Sequence, residues 1–127
     1  MTSIHRFEDL DIWLEARSLV RAVRNICKGP RACKDFGFTD QITRAARSIS
    51  YNIAEGSEAK TNAEFIQFLG YAKRSAGEVR AQLYDALDEG YTDKPTFQIL
   101  TTQSEKLGRR IGSLIRYLSA HPTPRNP

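Results

Sequence analysis

Apolar residues recur at alternating three- and four-residue steps along most of the chain, which is the period of an amphipathic α-helix. This pattern predicts helices over residues 7–28, 38–56, 62–89 and 94–119. No segment alternates in the way that would indicate a strand. Four amphipathic helices with short connections pack most simply as an antiparallel up-down-up-down bundle. The expected fold is therefore all-α, with residues 1–127 forming a single four-helix bundle domain.

Residue types that end or begin helices lie between the predicted helices. Stops follow the first three helices, at Gly29-Pro30, Gly56 and Gly90, and we expect Gly56 to end its helix in the left-handed conformation. Thr61 and Glu64 have the spacing of a capping box at the start of the third helix. Asp93 is expected to cap the fourth. The proline-rich tail, 121–127, is expected to be disordered.

The composition is typical of a folded chain and excludes several classes of protein. It is 40% hydrophobic and 27% charged, far from a disordered profile. No apolar run reaches the roughly 20 residues that span a bilayer, and no apolar segment near the N-terminus suggests a secretion signal, so we expect a cytoplasmic location without membrane contact. Cys27 and Cys33 match neither a redox pair nor a zinc site, so both are expected as free thiols, with Cys27 in the core.

The sequence offers no convergent catalytic chemistry. The only histidines are His5 and His121, both in terminal segments, which leaves no imidazole for a nucleophile or for Glu-x-x-His metal ligands. No glycine-rich phosphate loop is present. The acids Asp85, Asp88 and Glu89 are interpreted as a solvated helix face. We therefore expect no enzyme activity, no metal and no cofactor.

Positive charge is concentrated near the end of the first helix. The chain carries a net +4, whereas residues 16–34 hold six Lys and Arg and no acid, so that the rest nets −2. Four of these cations share one helix face, and we call them the basic ridge: Arg17, Arg21, Arg24 and Lys28. Arg31 and Lys34 follow in the loop. Either the ridge is an ordinary solvated face with acidic neighbours on another helix, or it binds a polyanion or an acidic partner.

A polar stripe runs along the second predicted helix. Its centre is Arg44, Ser48, Tyr51 and Glu55, opposite the apolar positions, and Arg47 and Asn52 lie on its two flanks. These groups can satisfy one another as donors and acceptors, so we interpret them as a network at a helix or subunit interface. A ligand site is the alternative.

At these residues the chain resembles a known family, the four-helix bundle proteins encoded in intervening sequences of bacterial 23S ribosomal RNA genes. The resemblance covers residues 7–118 and rests on Phe7-x-x-Leu10-x-x-Trp13-x-x-Ala16, Gln41-x-x-Arg44-Ala45-Ala46-x-Ser48-Ile49-x-x-Asn52-Ile53-Ala54-Glu55-Gly56, Glu64-Phe65-x-x-Phe68-Leu69-x-x-Ala72 with Ser75 and Glu78, and Gly90-Tyr91. It implies a ring-shaped homopentamer. The family is similar to the accessory variability protein of diversity-generating retroelements, which presents a basic surface to nucleic acid and to its reverse transcriptase. Where the family has Ala-x-Gly-Ser, this chain has Ala72-Lys73-Arg74-Ser75, a change that adds charge and replaces a small residue.

The sequence therefore leads to a hypothesis about binding rather than catalysis. We expect a homo-oligomer that binds nucleic acid, RNA or DNA and preferably structured RNA, through phosphate contacts. The residues expected to make these contacts are Arg17, Arg21, Arg24, Lys28, Arg31, Lys34, Lys73 and Arg74. The alternative is a protein–protein scaffold whose basic face docks an acidic protein partner, with no nucleic acid involved.

Overall fold

A computed structural model of the chain describes residues 6–122. Within that range, the backbone forms no strand and folds into α1 (Asp11–Cys27), α2 (Phe36–Ser57), α3 (Asn62–Asp88) and α4 (Lys94–Ser119), with 3-10 turns at Phe7–Asp9 and Ala32–Lys34. Each helix packs against the next, and α4 packs back against α1. In the described residues the diagonal pairs, α1 with α3 and α2 with α4, bring no two Cα atoms within 8 Å. This confirms the all-α, antiparallel four-helix bundle.

One apolar core runs between the four helices, and each helix contributes to it. Leu19, Ile49, Phe65 and Leu107, one from each helix in order, are all 0% exposed. Cys27 also lies in the core, as predicted. The three- and four-residue spacing therefore identified the buried face of every helix correctly.

The first helix is shorter than the spacing predicts. Phe7–Asp9 form a separate 3-10 turn, and Leu10 is extended, with φ −83° and ψ 125°, so α1 begins only at Asp11. The turn folds the Phe7 ring back onto Trp13, with the ring centroids 5.0 Å apart. Phe7 thus packs against Trp13 although no continuous helix joins them.

Two helix boundaries differ from the prediction for physical reasons. Helix α2 begins at Phe36 because the Asp35 side chain accepts the backbone N–H of Phe38. Gly56 does not adopt the left-handed conformation, and α2 continues through Ser57. What requires glycine at position 56 is space, since a Cβ there would lie 2.8 Å from Cδ1 of Phe65.

The other predicted caps are present. Thr61 accepts the N–H of Glu64 at 3.1 Å, and Glu64 reaches back to the Thr61 hydroxyl rather than to its backbone. Asp93 accepts the N–H of Thr96 at 2.8 Å. Gly90 has φ +74°, the left-handed stop predicted after the third helix. Residues 123–127 of the tail expected to be disordered, and His5, lie outside the described residues.

Side chains from two loops meet at the end of the bundle where α1 ends and α4 begins. The Tyr91 hydroxyl donates to Oδ2 of Asp35 at 2.8 Å, and its ring lies 5.1 Å from that of Phe38. The guanidinium of Arg31 lies over the same ring, 5.5 Å from its centroid. The hydrogen bond to the Asp35 carboxylate, followed by desolvation, raises the pKa of Tyr91. These contacts tie the α1–α2 loop to the α3–α4 loop.

Candidate nucleic-acid interface

The basic ridge lies on the outside of α1. Arg17, Arg21 and Lys28 are exposed, and Arg24 is half-buried where α1 meets α2. The Arg17 guanidinium lies 5.6 Å from the centroid of the Trp13 ring, a distance at which a cation is attracted to the ring face. The ridge therefore presents its charges along most of the length of the helix.

Within residues 6–122, the ridge cations form no ion pair with an acidic side chain. In the part of the chain that the structure describes, the arginines that form ion pairs are Arg6, Arg44, Arg80, Arg109 and Arg110. None of the eight cations predicted from the sequence to contact phosphate is among them. Within residues 6–122, no carboxylate oxygen thus lies within 4.0 Å of a ridge nitrogen.

Arg24 marks the point where the ridge meets α2. Its Nη1 donates to the Thr43 hydroxyl at 3.2 Å, and the Thr43 hydroxyl lies 3.9 Å from the Cys27 sulfur. Burial raises the pKa of the Cys27 thiol. An open groove of about 610 Å³ lies alongside Arg24, and its walls come from both helices: Arg24, Phe36, Gly37, Thr39, Asp40, Thr43 and Arg47.

The two cations of the loop lie beyond the end of the ridge. Lys34 is exposed in the 3-10 turn before α2, and Arg31 is exposed but lies over the Tyr91 ring. Arg31 is therefore held in place on one side by an aromatic contact and stays open to solvent on the other.

Lys73 and Arg74 lie elsewhere. They belong to α3, which is diagonal to α1. Lys73 packs along α4 beside Gly112, where a Cβ would lie 3.4 Å from its Nζ and 3.7 Å from Nη1 of Arg116. Arg74 is exposed on the surface of α3. The structure therefore separates the two α3 cations from the ridge.

The polar stripe of α2 divides into two parts. Asn52 donates to the Ser48 hydroxyl at 3.0 Å, and the Ser75 hydroxyl of α3 lies 2.9 Å from that of Ser48. Arg44 instead pairs with Asp40 at 3.1 Å, one turn earlier on the same helix. Glu55 is exposed. Ser48 and Asn52 are thus joined to a neighbouring helix, whereas the structure does not bring Arg44 and Glu55 into that group.

The described residues contain neither a spanning helix nor a metal cluster. Within 6–122 no helix is long and apolar enough to cross a membrane. No group of three or more His, Cys, Asp or Glu side chains in that range is placed to hold a metal ion. Cys27 and Cys33 are both free, as the sequence predicted.

Comparison with known proteins identifies the family. The model of the 23S rRNA-intervening sequence protein family matches residues 8–113. The chain belongs to this family. No curated protein matches it.

A solved structure supports the family fold. The protein is similar to a protein of unknown function from the S23 ribosomal protein family of Bacteroides thetaiotaomicron, known from a 1.70 Å crystal structure. The two are 22% identical with a TM-score of 0.75, and the similarity covers 82% of this chain and 97% of the other. At that identity the likeness establishes the four-helix fold alone.

Two side chains of this family member lie beside the ridge but were not among the predicted contacts to nucleic acid. Phe36 and Arg47 both line the groove beside Arg24. They share a face of α2 with Asp40 and Thr43, because these residues follow one another at steps of three and four. Because the predicted helix began at residue 38, Phe36 lay outside it, and its helical spacing from Asp40 and Thr43 was not recognised.

Proposed function

We propose that this member of the 23S rRNA-intervening sequence family is a homo-oligomeric, non-enzymatic helical bundle that binds nucleic acid, preferably structured RNA, through the basic ridge of α1. Binding relies on contacts to phosphates and therefore has little sequence preference.

One observation carries this proposal, namely that the ridge cations have no acidic partner among the described residues. Like charges three or four residues apart on a helix destabilise it by a few tenths of a kcal/mol per pair. Phosphate groups along a nucleic acid strand would neutralise these charges and release the counterions held by the strand. Arg17, Arg21 and Lys28 are exposed and free to make such contacts.

The proposed assembly is the pentamer that the family resemblance implies. It is supported by large apolar side chains that remain exposed in the single chain, including Leu14 at 47%, Tyr51 at 65% and Ile99 at 65%. Contacts between copies would remove such surface from water. A ring would also present the ridge five times, which would steepen the dependence of RNA affinity on salt.

Arg44 and Glu55 fit a role between subunits better than one within the chain. The side chain of Arg44 is 79% exposed, so its removal is expected to leave the folded monomer intact. We expect Arg44→Ala to weaken assembly, observed as a lower mass by light scattering at dilute concentration. An oligomer of unchanged mass and melting temperature would contradict this assignment.

The proposal is tested by light scattering coupled to size exclusion, with and without a short RNA hairpin, at low and moderate salt. We expect a particle of five 14.4 kDa chains that takes up RNA at low salt and releases it as salt rises. A pentamer that ignores RNA but binds an acidic polypeptide would instead support the scaffold function. A monomer would contradict the assembly.

A further inference from the structure

The groove between α1 and α2 combines an aromatic ring with two cations from different helices. Phe36, the first residue of α2, is 78% exposed, the largest exposed fraction among the large apolar side chains of the described residues. Arg24 enters the groove from α1, and Arg47 enters it from α2. Phe36 is thus an exposed ring in a mixed aromatic and basic environment.

Such an environment fits an unpaired nucleotide. Every base has a π face that stacks on an aromatic side chain, and the adjacent phosphates require cations. The bases of a duplex are stacked on each other and cannot reach a ring at the protein surface, whereas the bases of loops and ends can. A phenylalanine beside two arginines therefore favours single-stranded over double-stranded RNA.

The acidic residues near the groove already accept from donors within the chain. Asp40 lines the groove, but its carboxylate is paired with Nε of Arg44 at 3.1 Å. Asp35, next to Phe36, accepts the N–H of Phe38 and the hydroxyl of Tyr91. Each carboxylate thus has its own donors. Arg47 is exposed and has no acidic partner among residues 6–122.

We propose that the α1–α2 groove is a binding subsite for an unpaired nucleotide, whose base stacks on Phe36 while Arg24 and Arg47 contact the flanking phosphates. This inference rests on the proposed nucleic-acid function and assigns Phe36 and Arg47 to it. The strand would continue from the groove along the basic ridge, because Arg24 belongs to both surfaces.

The test compares two RNA probes, a labelled oligouridylate and a blunt-ended RNA duplex, by fluorescence anisotropy with the full-length protein. Phe36→Leu keeps an apolar side chain but removes the aromatic face. We expect it to lower affinity for oligouridylate at least about fivefold, at the lower end of the range for loss of one stacked base. Affinity for the duplex and both salt dependences should not change, since no charge is altered.

Two further variants test whether the loss of affinity comes from stacking on Phe36 rather than from a change in the fold. Tyr84→Leu removes an aromatic ring that is 56% exposed on α3 and packs on Phe97 of α4, outside the groove, and it should bind both probes like the wild type. Phe36→Trp should restore binding of oligouridylate. Thermal melts confirm that each variant is folded.

The outcomes distinguish this inference from the function on which it rests. If the wild type binds both probes and Phe36→Leu binds oligouridylate equally well, the stacking subsite is wrong and the phosphate-binding ridge stands. If Phe36→Leu loses affinity equally for oligouridylate and for the duplex, the stacking subsite is also contradicted. If the wild type binds neither probe, the proposed function itself is wrong.

Discussion

The arginines of α1 and α4 look alike in the sequence but have different surroundings in the structure. On α4, Arg109 lies 3.3 Å from Glu105, and Arg110 contacts both Glu15 and Asp11 of α1. On α1, Arg17 and Arg21 are exposed and form no ion pair with any described residue. Arg109 and Arg110 therefore have acidic partners within the chain, whereas Arg17 and Arg21 have none among the described residues.

The cause of this difference lies in where α1 keeps its acids. Its only acidic residues, Asp11 and Glu15, are on the side that faces α4, and both contact the same arginine. The rest of α1 contains no acid, and α2 turns Asp40 towards its own Arg44. Unpaired charge thus results from the distribution of acids over the bundle rather than from an excess of arginine.

The largest expected effect is on RNA binding. We expect the double variant Arg17→Ala/Arg21→Ala to bind an RNA hairpin roughly tenfold more weakly or worse. For each ridge that the hairpin contacts, the slope of log affinity against log salt should fall by about two, one for each phosphate that is no longer neutralised. The measurement is a titration at several salt concentrations. Arg80→Ala/Arg109→Ala removes the same charge from two arginines paired with Glu105 and is the control. Equal losses in the two variants would contradict the distinction between the helices.

For the stability of the fold, by contrast, the ion-paired arginines of α4 should matter more than those of α1. Arg110→Ala leaves Glu15 and Asp11 without their shared cation, and we expect the free energy of unfolding to fall by about 1 kcal/mol, the upper end for partly exposed pairs. Chemical denaturation measures this change. Arg109→Ala, whose pair is more exposed, should cost about half as much or less. A variant at position 110 as stable as the wild type would show that the pairing contributes nothing.

Tyr91 connects Arg31 with Asp35. Its ring contacts the Arg31 guanidinium, and its hydroxyl donates to the Asp35 carboxylate. The raised pKa of Tyr91 means that the folded state favours the neutral phenol, which donates to Asp35. This stability is fully present below about pH 10, the ordinary value for tyrosine, and is lost as pH rises through the higher folded value. Tyr91→Phe should therefore lose stability less steeply than the wild type above that pH.

Alkaline denaturation of both proteins measures the difference. The pKa of Cys27 is also raised, so its ionisation destabilises both proteins at alkaline pH, and comparing the two curves isolates Tyr91. Parallel curves would contradict the role of the Tyr91 hydroxyl.

The smallest effect is expected within the ridge itself. Arg21 lies between Arg17 and Arg24 on one helix face, so Arg21→Ala removes repulsion between like charges. We expect it to raise the free energy of unfolding by about a few tenths of a kcal/mol, and with it the melting temperature slightly. Added salt should reduce this gain, because it screens repulsion between exposed charges. A loss of stability would mean that Arg21 has a favourable contact in the native protein.

Local signals predicted the fold well, because helices are encoded by spacing and caps. Thr61, Asp93 and Gly90 begin or end helices as their types suggest. Gly56 was misjudged because the need for glycine arises from the Phe65 ring of another helix. The spacing of residues along the sequence does not show how closely Gly56 approaches the Phe65 ring.

The candidate site was predictable only in part. The face shared by Arg17, Arg21, Arg24 and Lys28 follows from their spacing. Whether acids neutralise it depends on contacts such as Arg110 with Glu15, 95 residues apart in the chain. The groove beside Phe36 required the correct start of α2 and the packing of α1 against it.

The central claim is that RNA contacts the α1–α2 face, and photo-crosslinking tests it most directly. The full-length protein is bound to a 4-thiouridine RNA hairpin at low salt, irradiated and analysed by mass spectrometry. We predict crosslinks within residues 17–47, including Phe36, which disappear as salt rises. Crosslinks confined to α4, around Arg109 and Arg116, or none above a control without irradiation, would contradict the account.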